Sequence, residues 1–395
     1  MIPPRVLLPV LQDCIAAAVA RLRGGHEALP SDPWRHTDTV DAEGLGLKSL
    51  ELIGVAGEVA DRFGLREAGV EDYLLRRRGL GDWARLIAEH GLKPTTTLSF
   101  FTSGSTGAPV ACRHSMIDLI DEVEAVQPLL GAVRRVRLLV PAHHIYGFLW
   151  GYLMPGLMGL PVLPRNAPPE PFRAGDLIVS YPDHWRFLAG GEAALPQGLT
   201  GLTSTAPMST AVAQALTARG LDRLIEIYGS SQTAGVGWRQ GPEDPFTLLQ
   251  VWQTPALDGY DRPAALIRAR SGRPAPVQDH LVFDAPRQFR VQGRRDQAIM
   301  VSGLTVYPER VRAQLESHQA VTQARVRLDR DGALAALIVP ADPAVLGTPD
   351  RQTALVQTLS TWCSSQLAGH ERPMRWRVME TVPMGPMGKE RDWTS

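Results

Sequence analysis

The feature that most narrows the fold is a hydroxyl-rich bend. Residues 98–109 read Leu-Ser-Phe-Phe-Thr-Ser-Gly-Ser-Thr-Gly-Ala-Pro, an apolar run that breaks into alternating hydroxyls and glycines. The apolar run suits a buried strand, and the glycines let the backbone after it turn back tightly. In such a bend the backbone N–H groups and the hydroxyls of Thr102, Ser103, Ser105 and Thr106, spaced by Gly104 and Gly107, can all face one anion. A polar hairpin is the plainer alternative, but it needs only one or two of these residues. The nucleoside-triphosphatase pattern GxxxxGK[ST] is absent.

A strand-and-turn phosphate site needs a sheet around it, and 395 residues, 44% apolar and 21% charged, are enough for two or three domains with cores of their own. Basic and acidic side chains balance at 41 each, so the chain lacks the basic footprint of a nucleic-acid binder, and its apolar content argues against disorder. Cys14, Cys112 and Cys363 are widely spaced and form no CxxC, which predicts free thiols in a reducing cytoplasm, with no zinc site and no disulfide framework. Met1–Arg5 does not lead into the charged start and apolar run of a signal peptide. The uncharged stretch Ile145–Pro164 is punctuated by Gly147, Gly151, Gly156 and Gly159 and by three prolines, so a buried helix, turn and strand are expected rather than a membrane span.

Three textures follow one another along the chain. Residues 1–92 are expected to be helical: Val6–Leu22, then Ser49–Phe63 with one apolar stripe of Leu52, Val55, Ala56, Val59 and Phe63 and another of Leu50, Ile53 and Gly57, then Val70–Arg77 and Gly81–His90. Two stripes predict a second helix buried on much of its girth. Residues 93–293 alternate strands such as Arg137–Pro141, Asp176–Ser180 and Arg223–Tyr228 with helices, the pattern of an α/β sheet. Residues 294–395 read as a small α+β domain: a helix from Pro308 to Leu315, strands at 324–328 and 335–339, a helix at 351–368 and a strand at 375–380.

Further segments carry candidate chemistry. Tyr228-Gly229-Ser230-Ser231-Gln232 takes an aromatic ring from a strand into a turn, suited to stacking on a nucleobase, although a core tyrosine would look the same. Lys389, in Pro386-Met-Gly-Lys-Glu-Arg391, is one of only three lysines, with Lys48 and Lys93, in a chain that otherwise uses arginine. A point ammonium suits sites that the guanidinium fork does not, and a solvated tail lysine is the alternative.

Taken in order, these segments resemble the adenylate-forming superfamily, which includes acyl-CoA synthetases, peptide-synthetase adenylation domains and firefly luciferase. Residues 102–109 are similar to its phosphate loop TSG[ST]TGxPK, and Pro141–Phe148 to the segment that closes on the acid. Ser204-Thr205-Ala206-Pro207-Met208-Ser209 resembles the GAPLS strand beside adenine, residues 228–232 the YGxTE motif, Gly293–Asp296 with Gly303 the GRxD hinge, and Gly388-Lys389 the carboxy-terminal GK signature. The resemblance implies a large α/β domain and a small mobile α+β domain, with ATP and Mg²⁺ as cofactors. It implies that Thr102, Ser103, Gly104, Ser105, Thr106 and Gly107 cradle phosphates, that Thr205, Ala206, Pro207, Tyr228, Gly229, Ser230 and Ser231 line the nucleotide, and that Asp279 and Arg294 hold ribose. Asp296 would be the hinge, Lys389 the catalytic cation, His144, Tyr146 and Gly235 part of the acid site, and Gln232 the metal position.

Three departures stand out. Val110 occupies the phosphate-loop lysine position, with Arg113 the nearest cation after it, and Gln232 replaces an acid beside Mg²⁺. The segment before the phosphate loop is far shorter than usual. Residues 5–90 instead resemble an acyl carrier protein, with Lys48-Ser49-Leu50 where carriers have the Asp-Ser-Leu that takes phosphopantetheine; Ser49 as a helix N-cap is the preferred alternative. The expected function is activation of an aryl or short carboxylic acid of secondary metabolism as an acyl-adenylate, with transfer to the pantetheine thiol of a carrier protein or CoA. A degenerate nucleotide-binding or carrier-docking pseudoenzyme is the other reading. No nucleic-acid or membrane partner is expected.

Overall fold

The computed structural model describes residues 7–23, 29–103, 109–255, 263–295, 298–329, 331–383 and 393. The expectations on Gly104, Ser105, Thr106, Gly107, Asp296 and Lys389 lie outside the described residues. The chain divides into two compact units, the first spanning Met1–Thr102, Pro109–Val277 and Leu281–Val291, the second built on Gln278–His280 and Gln292–Ser395.

The first unit opens with helices Leu8–Leu22, Ser49–Arg62, Asp72–Arg76 and Leu80–Leu86. Their apolar faces do not close a core of their own. Leu11, Ile15, Val55, Val59 and Trp83 belong to one continuous buried cluster with Leu98, Leu119, Phe148, Leu177 and Phe289 of the sheet region. The helix Ser49–Arg62 corrects the two-stripe expectation: Leu52, Val55, Ala56 and Val59 are buried, whereas Leu50 is 82% and Ile53 55% exposed. The helix buries only the face turned to its neighbours, and the second stripe looks outward. Its start differs from the expectation too. Lys48, with extended backbone, is the N-cap, and Ser49 is the first helical residue. The Glu51 carboxylate accepts the Lys48 N–H at 2.8 Å, so an acid one turn in does the capping assigned to the Ser49 hydroxyl.

The sheet has nine strands, ordered in space 279–285, 288–294, 246–248, 234–239, 223–230, 200–203, 176–180, 135–138 and 162–163. The last five run parallel to one another, and the pairs 223–230/234–239 and 234–239/246–248 are antiparallel. The central strand Asp176–Ser180 is buried at every residue, as a parallel strand covered on both faces must be. The uncharged stretch forms a helix from Ile145 to Met158, with a π turn at Leu149–Leu153, closed by Gly159 at φ 68° and followed by strand Val162–Leu163. Trp150, Tyr152 and Leu153 of this helix are fully buried. Among the described residues no helix is long and apolar enough to cross a membrane.

The second unit carries a three-stranded sheet, Val321–Leu328 antiparallel to Leu334–Pro340 and Arg375–Val378 parallel to the latter, covered by helices Pro308–Glu316 and Pro349–Gln366. Val311, Leu315, Ala324, Ile338 and Leu359 form its core. The hairpin Ile299–Val301/Leu304–Val306 turns through Ser302 and Gly303 at φ 48° and 79°, the pair of positive angles that a two-residue turn of this kind demands.

Candidate active site

In an open α/β sheet the carboxyl ends of parallel strands leave a crevice for ligands. Three expected motifs sit at that edge of the first unit. Leu139–His144 follows the strand ending at Leu138, Ser204–Met208 follows the strand ending at Thr203, and Tyr228–Ser230 closes its own strand.

Tyr146 ties the ends of two neighbouring parallel strands, 176–180 and 200–203, together, its hydroxyl lying 2.8 Å from the Leu202 carbonyl and 3.1 Å from that of Ser180. Burial pushes the phenol well above its ordinary pKa, so it remains a hydrogen-bond donor. The rings of His143 and His144 lie 4.2 Å apart. Burial, then the nearby Arg62 charge, brings His144 down to about 4, and burial holds His143 well below its usual value; both imidazoles are neutral at pH 7. His143 Nδ1 is buried and has no hydrogen-bond partner among the described residues.

The Ser204–Met208 loop is held in an unusual backbone shape. Thr205 has φ 80°, in the region that favours glycine, and its buried hydroxyl has no hydrogen-bond partner among the described residues. The loop is anchored where Met208 N–H reaches Glu226 Oε1 at 3.3 Å, while Glu226 Oε2 accepts Arg239 at 2.9 Å. Tyr228 is half-buried, its ring 5.5 Å from Phe246 and 5.6 Å from Phe289. The strand pairing shifts between Tyr228 and Gly229, where a side chain at 229 would come within 2.2 Å of the Ala234 carbonyl oxygen. Only glycine fits that approach.

The turn after Tyr228 is clamped by side chains that the sequence reading did not single out. His114 Nε2 lies 2.7 Å from the Ser231 carbonyl, and Arg268 donates to the Thr233 carbonyl at 2.7 Å. The Glu122 carboxylate accepts the Gly235 N–H at 2.9 Å, and Trp252 donates to the Gly235 carbonyl at 2.8 Å. Burial raises Glu122 to about 7, partly opposed by Arg268, and lowers His114 to about 4. Gln232 sits half-buried in the middle of this clamped turn, and Gly235, expected in the acid site, is tightly enclosed: a Cβ there would meet Glu122 Oε1 at 2.4 Å. Glu122 did leave a trace in the sequence, as an acid at helical spacing within the buried stripe of Met116, Leu119, Val123 and Val126.

Over 391 residues the chain is 36% identical to a 4-coumarate–CoA ligase of Halorhodospira halophila, covering 97% of both proteins. The chain belongs to the adenylate-forming superfamily. This ligase is 34% identical to a second protein of that name, from Rhodobacter capsulatus, over 94% of its own length and 96% of the relative's. No protein-family model matches it. Its fold is that of an amide bond synthetase from Marinactinospora thermotolerans (TM-score 0.58, 17% identity, 96% of this chain and 92% of that one). A mutant o-succinylbenzoate CoA synthetase from Bacillus subtilis has the same fold (TM-score 0.58, 17% identity, 78% and 72%).

The departures from the superfamily pattern also have places in the ligase structure. Thr102 and Ser103 end the strand Thr97–Ser103, and Val110 is 49% exposed on the strand Pro109–Ser115. Alternation along that strand puts Val110 on the side of Cys112 and His114 and Arg113 on the other, so Arg113 does not take over the missing lysine's direction. In the second unit Asp279 is buried at the start of its strand, and the Arg295 N–H bonds the Gln278 carbonyl at 2.8 Å, bringing Asp279 and Arg294 to neighbouring positions at the end of a hairpin. No group of three metal-ligating side chains occurs among the described residues.

Proposed function

We propose that this ligase activates an aryl-propenoic acid of the 4-coumarate class with ATP and passes it to coenzyme A. The observation that carries the reading is 36% identity, over 97% of both chains, to a protein named 4-coumarate–CoA ligase. The gathering of the His143–His144, Ser204–Met208 and Tyr228–Gln232 segments at one edge of the parallel sheet supports it. CoA, rather than a carrier protein, is the acceptor that the relatives' name favours.

In the first half-reaction an acid carboxylate oxygen attacks the α-phosphorus and diphosphate leaves. In the second the CoA thiol, giving up its proton, attacks the acyl carbon and AMP leaves. Thr102–Gly107 would cradle the phosphates, Thr205–Pro207 and Tyr228–Ser231 would bound the adenine, Asp279 and Arg294 would hold the ribose, and Lys389 would offset charge building at the α-phosphate. Asp296 would be the hinge between the half-reactions. His144, Tyr146 and Gly235 would border the acid. The neutral amide oxygen of Gln232 suits Mg²⁺ that arrives already bound to the nucleotide phosphates, because magnesium is commonly held by few protein ligands and substrate phosphate. That ion would supply Lewis-acid polarisation of the phosphates.

Incubation with ATP, Mg²⁺, CoA and a panel of acids tests the proposal. Thioester should form from 4-coumarate and its ring-substituted relatives well above acetate or benzoate. Preference for a short aliphatic acid, or none formed from any acid, would reject it.

A further inference from the structure

The amino-terminal helices send two buried charges into the loop that carries the histidines. Asp13, 9% exposed, accepts the Ala142 N–H on Oδ2 at 2.6 Å and Arg165 on Oδ1 at 2.8 Å. Arg62, 4% exposed, donates from Nη1 to the His143 carbonyl at 2.8 Å. Its guanidinium also lies 5.6 Å from the Phe100 ring and 5.5 Å from the Phe101 ring, on the strand that leads into the phosphate-loop segment.

Burying a guanidinium is expensive unless it is paired. Among the described residues Arg62 forms no ion pair, and its Nε has no hydrogen-bond partner. A hydrophobic side chain at this point of the Val55–Val59 stripe would stabilise the helix packing more, so fold stability alone does not account for Arg62. What it does make is one directed bond to the peptide that precedes His144. Asp13 grips the Pro141–Ala142 peptide of the same loop from a different helix, and Gly147 lets the Pro141 carbonyl approach within 2.1 Å of where a Cβ would stand. The loop is thus fixed from two sides.

We infer that Asp13 and Arg62 are positioning residues for the acid site, and that the short amino-terminal helical segment serves as a brace for residues 141–144 rather than as a carrier. The inference rests on the proposed placing of the acid beside His144.

Amide hydrogen exchange and steady-state kinetics on the full-length protein test it, with Arg62→Met and Asp13→Ala as disruptive variants and Arg62→Lys and Asp13→Asn as conservative ones. Peptides covering 139–147 should exchange about tenfold faster in the disruptive variants while 176–180 is unchanged, KM for 4-coumarate should rise about tenfold and KM for ATP should stay within about twofold. The conservative variants, which keep a donor or acceptor, should recover most of both effects. Unchanged exchange at 139–147, faster exchange without a change in acid KM, or an equal rise in both KM values would each overturn the inference. If Arg62→Met does not fold, Asp13→Ala against Asp13→Asn decides it on the same readouts. If the unmodified protein forms no thioester from any acid, the proposed function fails, while the exchange data still decide whether the brace exists.

Discussion

At the scale of single residues, one missing charge and one buried acid make the sharpest predictions. Val110 is half-exposed, so Val110→Lys should change stability by no more than about 0.5 kcal/mol. The new ammonium should lower KM for ATP about tenfold or more, since a charge-assisted bond contributes about 1.5–3 kcal/mol; steady-state kinetics at varied ATP check this. Glu122 predicts a pH effect. Its ordinary value is 4.5 and burial raises it to about 7, so between those pH values the native state keeps a proton that the unfolded state has released. Its contribution to stability therefore falls as pH rises through that window. Glu122→Gln stays neutral and keeps an oxygen for the Gly235 N–H, so its stability relative to the unmodified protein should climb from pH 4.5 to 7 in urea melts. A flat or falling difference would contradict this. His114, lowered to about 4, acts with the opposite sign in both proteins and cancels in the comparison. Residues such as Glu122, Asp13 and Arg62 are marked in the sequence only as charges within apolar stripes, and their partners lie 81 to 152 positions away. Spacing could flag them as unusual, but not say what they hold.

At the scale of elements, local pattern carried most of the information. The strand Asp176–Ser180 and the helix starting at Pro308 were legible because a continuous apolar run and a first-turn proline act over a few residues. The start of Ser49–Arg62 was displaced by one residue, because Glu51 rather than the serine hydroxyl caps it. Its outward stripe misled for another reason: periodicity records two apolar faces but not how many neighbours the helix has. The π turn at Leu149–Leu153 was illegible, since no residue type marks it. The adjoining Gly147 gives the prediction at this scale. A methyl group there would lie 2.1 Å from the Pro141 carbonyl oxygen, which is backbone and cannot swing aside. Gly147→Ala should cost about 1–3 kcal/mol of stability and raise KM for the acid by displacing residues 141–144. Chemical denaturation and acid kinetics check the two parts, and an unchanged midpoint would refute the first.

For the whole molecule, the order of motifs was readable because each is short and local, whereas the shared core was not. Residues 7–92 look like a separate helical unit in sequence, yet Leu11, Val55 and Trp83 share one buried cluster with Leu177 and Phe289, contacts that only the tertiary fold creates. The proposal that ties the two ends of the chain together is that residues 102–107 would cradle the phosphates of the ATP on which Lys389 would act, in the first half-reaction alone. The two half-reactions of Lys389→Ala, measured separately, test it most directly. Acid-dependent exchange of diphosphate into ATP should fall at least about 10²-fold, while conversion of preformed coumaroyl-adenylate and CoA to the thioester is largely kept. Exchange at the unmodified rate, or equal loss of both half-reactions, would contradict it.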